Sequence, residues 1–411
     1  MNRLAFCCAL LLSSLTLAAD WPQFRGPAGD GHYDGPKLPT KWGPDTNVAW
    51  KTPIPGLGWS SPIVWKGKVY LTTAVEEKGG YSLRALCLDA KTGKIEWSKE
   101  VFREESATAP KIHNKNSHAS SSPIIDGERL YVHFGHMGTA ALSLDGKQIL
   151  WKNDKLKYKP VHGNGGSPIL VDDKIVFNCD GGDVQFIVAL DKKTGNIAWK
   201  TDRKGGYPRG FSFATPLLIT RGKERLIISP GSGLVGAYDP ATGTEVWRVK
   251  YDGYSLIPKP VFGDGLVYVA TGYNTPSLHA IKPDGKGDIT ASNVAWTLKR
   301  SVPHTPSMLY DGNELYMVSD GGLATCMDTK SGEVLWSERV KGNYSASPTF
   351  ADGKIFLTSE DGKGTVLAAG REFKVLQEND LGERTFAAFA AADGNLLVRT
   401  DKQLYCFREK K

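Results

Sequence analysis

The sequence predicts an all-β chain folded as an eight-bladed propeller of four-stranded antiparallel blades, and three observations carry that prediction. One turn unit recurs along the chain at fixed spacing. A second, hairpin-forming unit falls between its copies. Long stretches of helical period are missing from 411 residues that include 46 Gly and 11 Trp, as expected where short strands and tight turns alternate.

The turn unit is clearest at residues 190–199, LDKKTGNIAW. Asp191 can accept hydrogen bonds from the backbone N–H groups just ahead of it, Thr194 adds a hydroxyl to the same turn, and Gly195 supplies the positive φ of a tight reversal. Trp199 then lies on a strand that alternates apolar and polar positions. The same spacing returns at Asp89, Thr92, Gly93 and Trp97, at Asp239, Thr242, Gly243 and Trp247, and at Asp328, Ser331, Gly332 and Trp336. A shortened copy ends at Trp151 and a lengthened one at Trp296, whereas Trp50 carries the strand without its turn. From Trp to Trp the period is about 40 to 54 residues, the range of four-stranded propeller blades.

Each hairpin unit opens with a small residue and Pro, or a remnant of that pair, and continues through an apolar run, a turn and a β-branched or aromatic run. The turns fall at Lys66-Gly67, Asp126-Gly127, Asp172-Asp173, Arg221-Gly222, Asp264-Gly265, Asp311-Gly312, Asp352-Gly353 and Asp393-Gly394, most with the Gly that primed hairpin turns favour. Eight hairpins give eight blades. Beyond Cys406 only three strands have been supplied for the last blade, and residues 47–52 offer the fourth. That pairing closes the ring and leaves no free sheet edge at either end. One repeat array over 47–411 therefore follows an irregular, Gly/Pro-rich extension at 20–46, expected to lie across the outside of the propeller on Trp21, Phe24, Tyr33 and Trp42.

Residues 1–19 read as an export signal: Arg3, an apolar run at 4–17, and Ala18-Ala19 before Asp20. Cys7 and Cys8 lie inside this segment, too near the start for a lipoprotein cleavage box, so the mature chain is expected in the periplasm or outside the cell, with no integral membrane segment. Cys87, Cys326 and Cys406 occupy equivalent strand positions in three blades and Cys179 a neighbouring strand, which fits buried free thiols and no metal site. The net charge of +7 is spread thinly, a solvated exterior and not a nucleic-acid footprint. A monomer is expected.

No H-E-x-x-H, G-x-S-x-G or Walker loop is present. Residues 231–236 spell G-x-G-x-x-G, but a strand follows where a pyrophosphate site needs a helix, so this is a hairpin. The run from Asp180 to Asp183 lacks further carboxylates at calcium spacing and falls where a blade hairpin is due.

The repeated D-x-x-T-G-x-x-x-W resembles the blade motif of the pyrroloquinoline-quinone dehydrogenase repeat superfamily. W-P-Q-F-R-G-P at 21–27, K-N-S-H-A-S at 115–120 and G-N-G-G-S-P at 163–168 resemble a secreted bacterial BamB-like subfamily within it. The resemblance implies a propeller over nearly all of 20–411 and, from its cofactor-free BamB members, a role in holding partners. Its dehydrogenases imply instead an adjacent Cys-Cys disulfide over the quinone, a Glu/Asn/Asp calcium site and an Asp base. Here the adjacent Cys pair lies in the leader and no motif matches those ligands, so no cofactor is expected outside that alternative.

Residues just before each blade's first strand should ring one mouth of the central channel. In chain order these are Trp59, His118, His162 with Asn164, Arg209 with Phe211, Tyr254, His304, Tyr344 and Arg384. Such a ring suits an anionic, sugar-like or peptide ligand through charge-assisted bonds and stacking; the same residues serve equally well as the plug of a wet channel. The functional expectation is an exported, non-catalytic protein that binds a protein partner or a small polar ligand, with a quinone-dependent dehydrogenase as the alternative.

Overall fold

The computed structural model describes residues 20–203 and 207–409; the expected leader at 1–19 lies outside them. Eight antiparallel four-stranded blades follow one another in chain order, two of them with a short fifth strand added in parallel, His32–Tyr33 and Gly287–Asp288. Blade 1 is Ile63–Trp65, Lys68–Glu77, Gly80–Asp89 and Ile95–Glu105, and the first strands of the next six are Ile124–Ile125, Ile169–Val171, Leu217–Arg221, Val261–Gly263, Leu309–Asp311 and Thr349–Ala351. Blade 8 contributes Ala390–Ala392, Asn395–Arg399 and Gln403–Phe407, and Val48–Pro53 pairs antiparallel with the last of these. Two hairpin turns sit one residue later than their sequence reading, at Gly222 and Gly312, because the strands before them run on to Arg221 and Asp311. Residues 231–236 form the predicted hairpin between Glu224–Gly231 and Leu234–Tyr238. Among the described residues no helix is long and apolar enough to cross a membrane.

Each recurrent turn is closed by its own side chains. Asp191 Oδ1 accepts from the Lys193 N–H (3.0 Å), the Thr194 N–H (2.8 Å) and the Thr194 hydroxyl (2.8 Å), while the Gly195 N–H reaches the Asp191 carbonyl at 2.8 Å. Those bonds hold the Asp191 carboxyl below its ordinary pKa. Gly195 does more than supply its φ of +74°: a Cβ there would lie 2.5 Å from the Trp151 ring of the preceding blade. The Trp151 indole N–H in turn donates to the Lys192 carbonyl at 3.1 Å. One blade's turn is thus the seat of the previous blade's tryptophan. Trp50 sits on Gly93, Trp97 on Gly146, Trp199 on Gly243 and Trp296 on Gly332 in the same way. In the degenerate seventh unit the seat survives without the motif, because the Gly370 carbonyl accepts from Trp336 at 3.0 Å and Phe373 packs on its ring.

A second set of contacts joins the blades at the axis, and it explains the small residue before proline. The Ser61 N–H donates to Ser122 Oγ (2.9 Å), Ser122 to Ser167 (2.9 Å), Ser167 to Thr215 Oγ1 (3.0 Å), Ser307 to Ser347 (3.0 Å) and Ala388 back to Ser61 (3.1 Å). Lys259 donates its N–H to Ser307 at 3.0 Å but brings no hydroxyl of its own. The belt is therefore broken at blades 5 and 8.

The N-terminal extension does not lie across the outside. Trp21 exchanges two 2.8 Å backbone bonds with Val64 of blade 1, and the Pro22 carbonyl accepts from Ile125 of blade 2. Arg25 then donates to the Met308 carbonyl of blade 6, His32–Tyr33 pairs parallel with Thr349–Ala351 of blade 7, and Tyr33 Oη accepts from Gly394 of blade 8. The segment crosses the channel at the end where the first hairpins turn and seals it. The physical reason is that the ends of eight first strands present backbone groups that must be paired if buried, and this segment pairs several of them. Lys259 of blade 5 is enclosed beneath it; a Cβ on Gly29 would fall 2.3 Å from its amine. All four described cysteines are free and buried, and burial pushes the Cys87 thiol up to about 12.

Candidate functional site

An antiparallel blade sends its strands alternately toward the two ends of the axis, so one mouth collects two kinds of loop. The loops into the first strands and the hairpins between second and third strands both open there, opposite the sealed end. Together they enclose a cavity of about 600 Å³ on the axis, to which all eight blades contribute, with Phe24 of the sealing segment in its lining.

Of the residues predicted for this mouth, Trp59, His162, Arg209, Phe211, Tyr254 and His304 line the cavity. Trp59 is 6% exposed and packs on Phe386 at 4.7 Å between ring centres. Phe211, Tyr254 and Tyr273 form a continuous aromatic wall, with centroid spacings of 5.6 and 5.8 Å. The Arg209 guanidinium lies over the Tyr254 ring at 4.9 Å and donates to its hydroxyl. His162 meets His113 and Phe211 edge to face, each at 5.5 Å; desolvation and the neighbouring His113 lower its pKa. Its backbone φ is +68°, and Ser255 (+57°), Asn274 (+78°) and Ser301 (+61°) are also left-handed in loops at this mouth. Such conformations cost about 1–2 kcal/mol each in an L-residue and persist where the surroundings hold them.

The other four predicted residues do not line the cavity. His118 turns away, and its Nδ1 donates to Glu104 Oε2 at 2.6 Å. That carboxylate, 2% exposed, also takes His136 Nε2 at 2.8 Å. Burial alone would raise Glu104, but the two imidazoles hold it down at about 2. Asn164 lies behind the wall, accepting from the Tyr158 hydroxyl at 2.7 Å and meeting His136 Nδ1 at 3.1 Å. Tyr344 is wholly buried between blades, donating to the Lys341 carbonyl at 2.9 Å. Arg384 reaches the Asn114 carbonyl at 3.3 Å and covers Phe386. The polar character that marked these four positions serves packing between loops.

Several lining residues escaped the sequence reading. Tyr273 and Asp320 come from hairpins between second and third strands, a class of loop that the same topology delivers to this mouth. Lys115 and Asn116 come from the long connection after blade 1, which folds back until His113 donates to the His162 carbonyl (3.2 Å) and Lys115 reaches Glu360 of blade 7 (2.7 Å). Asp320 is fully engaged: it accepts from the backbone N–H groups of His304 (2.6 Å) and Thr305 (3.3 Å) and from the Thr305 hydroxyl (2.6 Å).

Comparison with known proteins bears on the whole chain. The outer membrane protein assembly factor BamB of Yersinia pestis is 24% identical over 295 residues, 67% of each chain. A polyvinylalcohol dehydrogenase of a Sphingopyxis strain is also 24% identical, over 378 residues, which are 78% of this chain but 53% of that one. Among solved structures, a quinohemoprotein alcohol dehydrogenase of Pseudomonas putida superimposes with a TM-score of 0.64 at 13% identity, covering 96% of this chain and 81% of that chain. Residues 43–210, 231–287 and 286–400 match the family described as outer membrane protein assembly factor BamB, and the chain belongs to that family.

Proposed function

We propose that this protein is an exported binding protein whose open channel mouth holds a small ligand, without turning it over. The observation that supports this most is the axial cavity itself, walled by aromatic rings and supplied with an arginine and three histidines. Its size falls within the range of small-molecule pockets, roughly 300–1,000 Å³. A role in holding a protein partner, as the name of the Yersinia relative suggests for that protein, concerns the outer blade faces and is compatible with it.

The dehydrogenase relatives favour a second reading, in which the cavity receives a quinone held by calcium. The donor set does not suit that arrangement. Calcium takes six to eight oxygens, largely carboxylate, whereas the cavity lining offers one carboxylate, Asp320, with both oxygens already bonded. Among the described residues no group of three His, Cys, Asp or Glu side chains is placed to hold a metal.

The test is a thermal-shift screen of small anions, saccharides and pyrroloquinoline quinone with calcium, run on the native chain and on His162→Ala. A compound that raises the melting point of the first and not the second supports the mouth as the site. If every compound that binds does so equally in both, the reading is wrong. Stabilisation by the quinone that requires calcium would replace it with the second.

A further inference from the structure

The cavity's chemistry is more specific than its shape, and three of its features constrain what it holds. The first is the placement of its aromatic residues. Trp59 and Phe386 come from blades 1 and 8, while Phe211, Tyr254 and Tyr273 come from blades 4 and 5. In an eightfold ring those pairs of blades stand opposite each other. The two walls face each other across the axis and supply apolar ring surface to the lining.

The second feature is a set of donors without acceptors. Ser61, Ser122, Ser167, Thr215, Ser307 and Ser347 line the cavity, each nine-tenths buried or more. In the six belt bonds each of these oxygens accepts one backbone N–H from a neighbouring blade. None of the six hydroxyls has an acceptor for its own proton among the described residues. These hydroxyl protons are free for a molecule in the cavity, and a ligand rich in oxygen acceptors can take them in place of water.

The third feature is charge. Lys115 is neutralised by Glu360, and Asp320 is saturated by its three donors. Arg209 has no carboxylate partner among the described residues; its contacts are with Tyr254. The uncompensated charge at the cavity is therefore one guanidinium, placed at the edge of an aromatic wall where it can take a carboxylate through two parallel bonds.

We infer that the cavity holds an acidic saccharide: pyranose rings whose C–H faces lie against the aromatic walls, whose oxygens answer the hydroxyl belt, and whose carboxylate pairs with Arg209. A flat aromatic acid would use the walls and the arginine but leave the belt's donors unmet, and a neutral sugar would leave Arg209 unpaired. This inference rests on the reading of the mouth as a binding site and adds the class of ligand.

Calorimetric titration of the full chain with digalacturonate and with galactobiose, its neutral counterpart, tests it. Digalacturonate should bind at least about tenfold more tightly, the worth of one charge-assisted pair. Arg209→Gln should abolish that preference, so that digalacturonate and galactobiose bind the variant equally; Trp59→Ala, which removes a ring from one wall, should weaken both sugars several-fold. Thermal melts of both variants verify that they are folded. Equal binding of the two sugars, or a preference indifferent to Arg209, overturns the acidic assignment and leaves the mouth reading intact. Binding of neither sugar, or their displacement by a flat aromatic acid that binds more tightly, overturns the saccharide class. A loss of the mouth reading itself would show separately, as indifference of every screened ligand to His162→Ala.

Discussion

The two ends of the central channel are built from the same strands and differ in almost every other respect. At the sealed end the loops are short hairpins and Asp-x-x-Thr-Gly turns, and the chain's own residues 20–38 lie across the opening with backbone bonds to blades 1, 2 and 7 and a bond from blade 8 to the Tyr33 hydroxyl. At the open end the connections between blades are longer and irregular, and aromatic and cationic side chains line a cavity. Regular turn chemistry lies where the ring is held together, and irregular loop chemistry lies around the cavity. Substitutions at the first end should therefore cost stability, and substitutions at the second should cost binding.

The largest effect is expected from removing the sealing segment together with the strand behind it. A chain beginning at Pro53 lacks nearly all of the fourth strand of blade 8, exposing a sheet edge. Its melting temperature should fall by more than about 10 °C. A melt within a few degrees of that of a chain beginning at Asp20 would contradict this.

Next comes the tryptophan seat. Gly195→Ala forces a left-handed alanine and places a methyl 2.5 Å from the Trp151 ring, so denaturant unfolding should show a loss of about 2–4 kcal/mol. Gly222→Ala meets the same backbone strain, at φ +58°, but nothing within 4 Å. It should cost only about 1–2 kcal/mol, and the difference between the two isolates the contact between blades.

Lys259 provides a smaller effect with a definite sign. Burial, with Arg25 nearby, lowers its amine from 10.5 to about 7. Between these values the unfolded chain holds a proton that the folded chain has released, so stability rises as pH climbs from 7 toward 10.5. Lys259→Met should stabilise the protein at pH 7 by about 1–3 kcal/mol and flatten this portion of the stability profile. A destabilised variant at pH 7 would mean that the amine is satisfied in solution.

The smallest stability effect belongs to the open mouth. Arg209 is exposed, and Arg209→Gln should change unfolding free energy by no more than about 0.5 kcal/mol while altering ligand binding.

Blade number and turn positions were legible in the sequence because each rests on residues within a few positions of one another. Asp191, Thr194 and Gly195 settle their own turn, and the pattern then repeats. What the turn was for was not legible, since Trp151 and Gly195 lie in different blades and only the assembled ring brings them together. About half of the mouth could be read, from the loops that precede first strands. Tyr273 and Asp320 were missed because their loops are hairpins within a blade and carry no repeat signal, and Lys115 because its connection folds back over the opening. His118 was misplaced because Glu104, which holds it, sits at the far end of a long strand. The sealing segment was the least legible part: Arg25 bonds a carbonyl 283 residues away, and nothing local marks such a partner.

If the open mouth, and not the outer blade surface, holds the ligand, a crystal structure of the protein soaked with digalacturonate will show it most directly. Sugar density is expected between Trp59 and Tyr254, with its carboxylate on Arg209 and oxygens within hydrogen-bond distance of the serine belt. Density confined to the outer strands, with the cavity filled only by water, would contradict it.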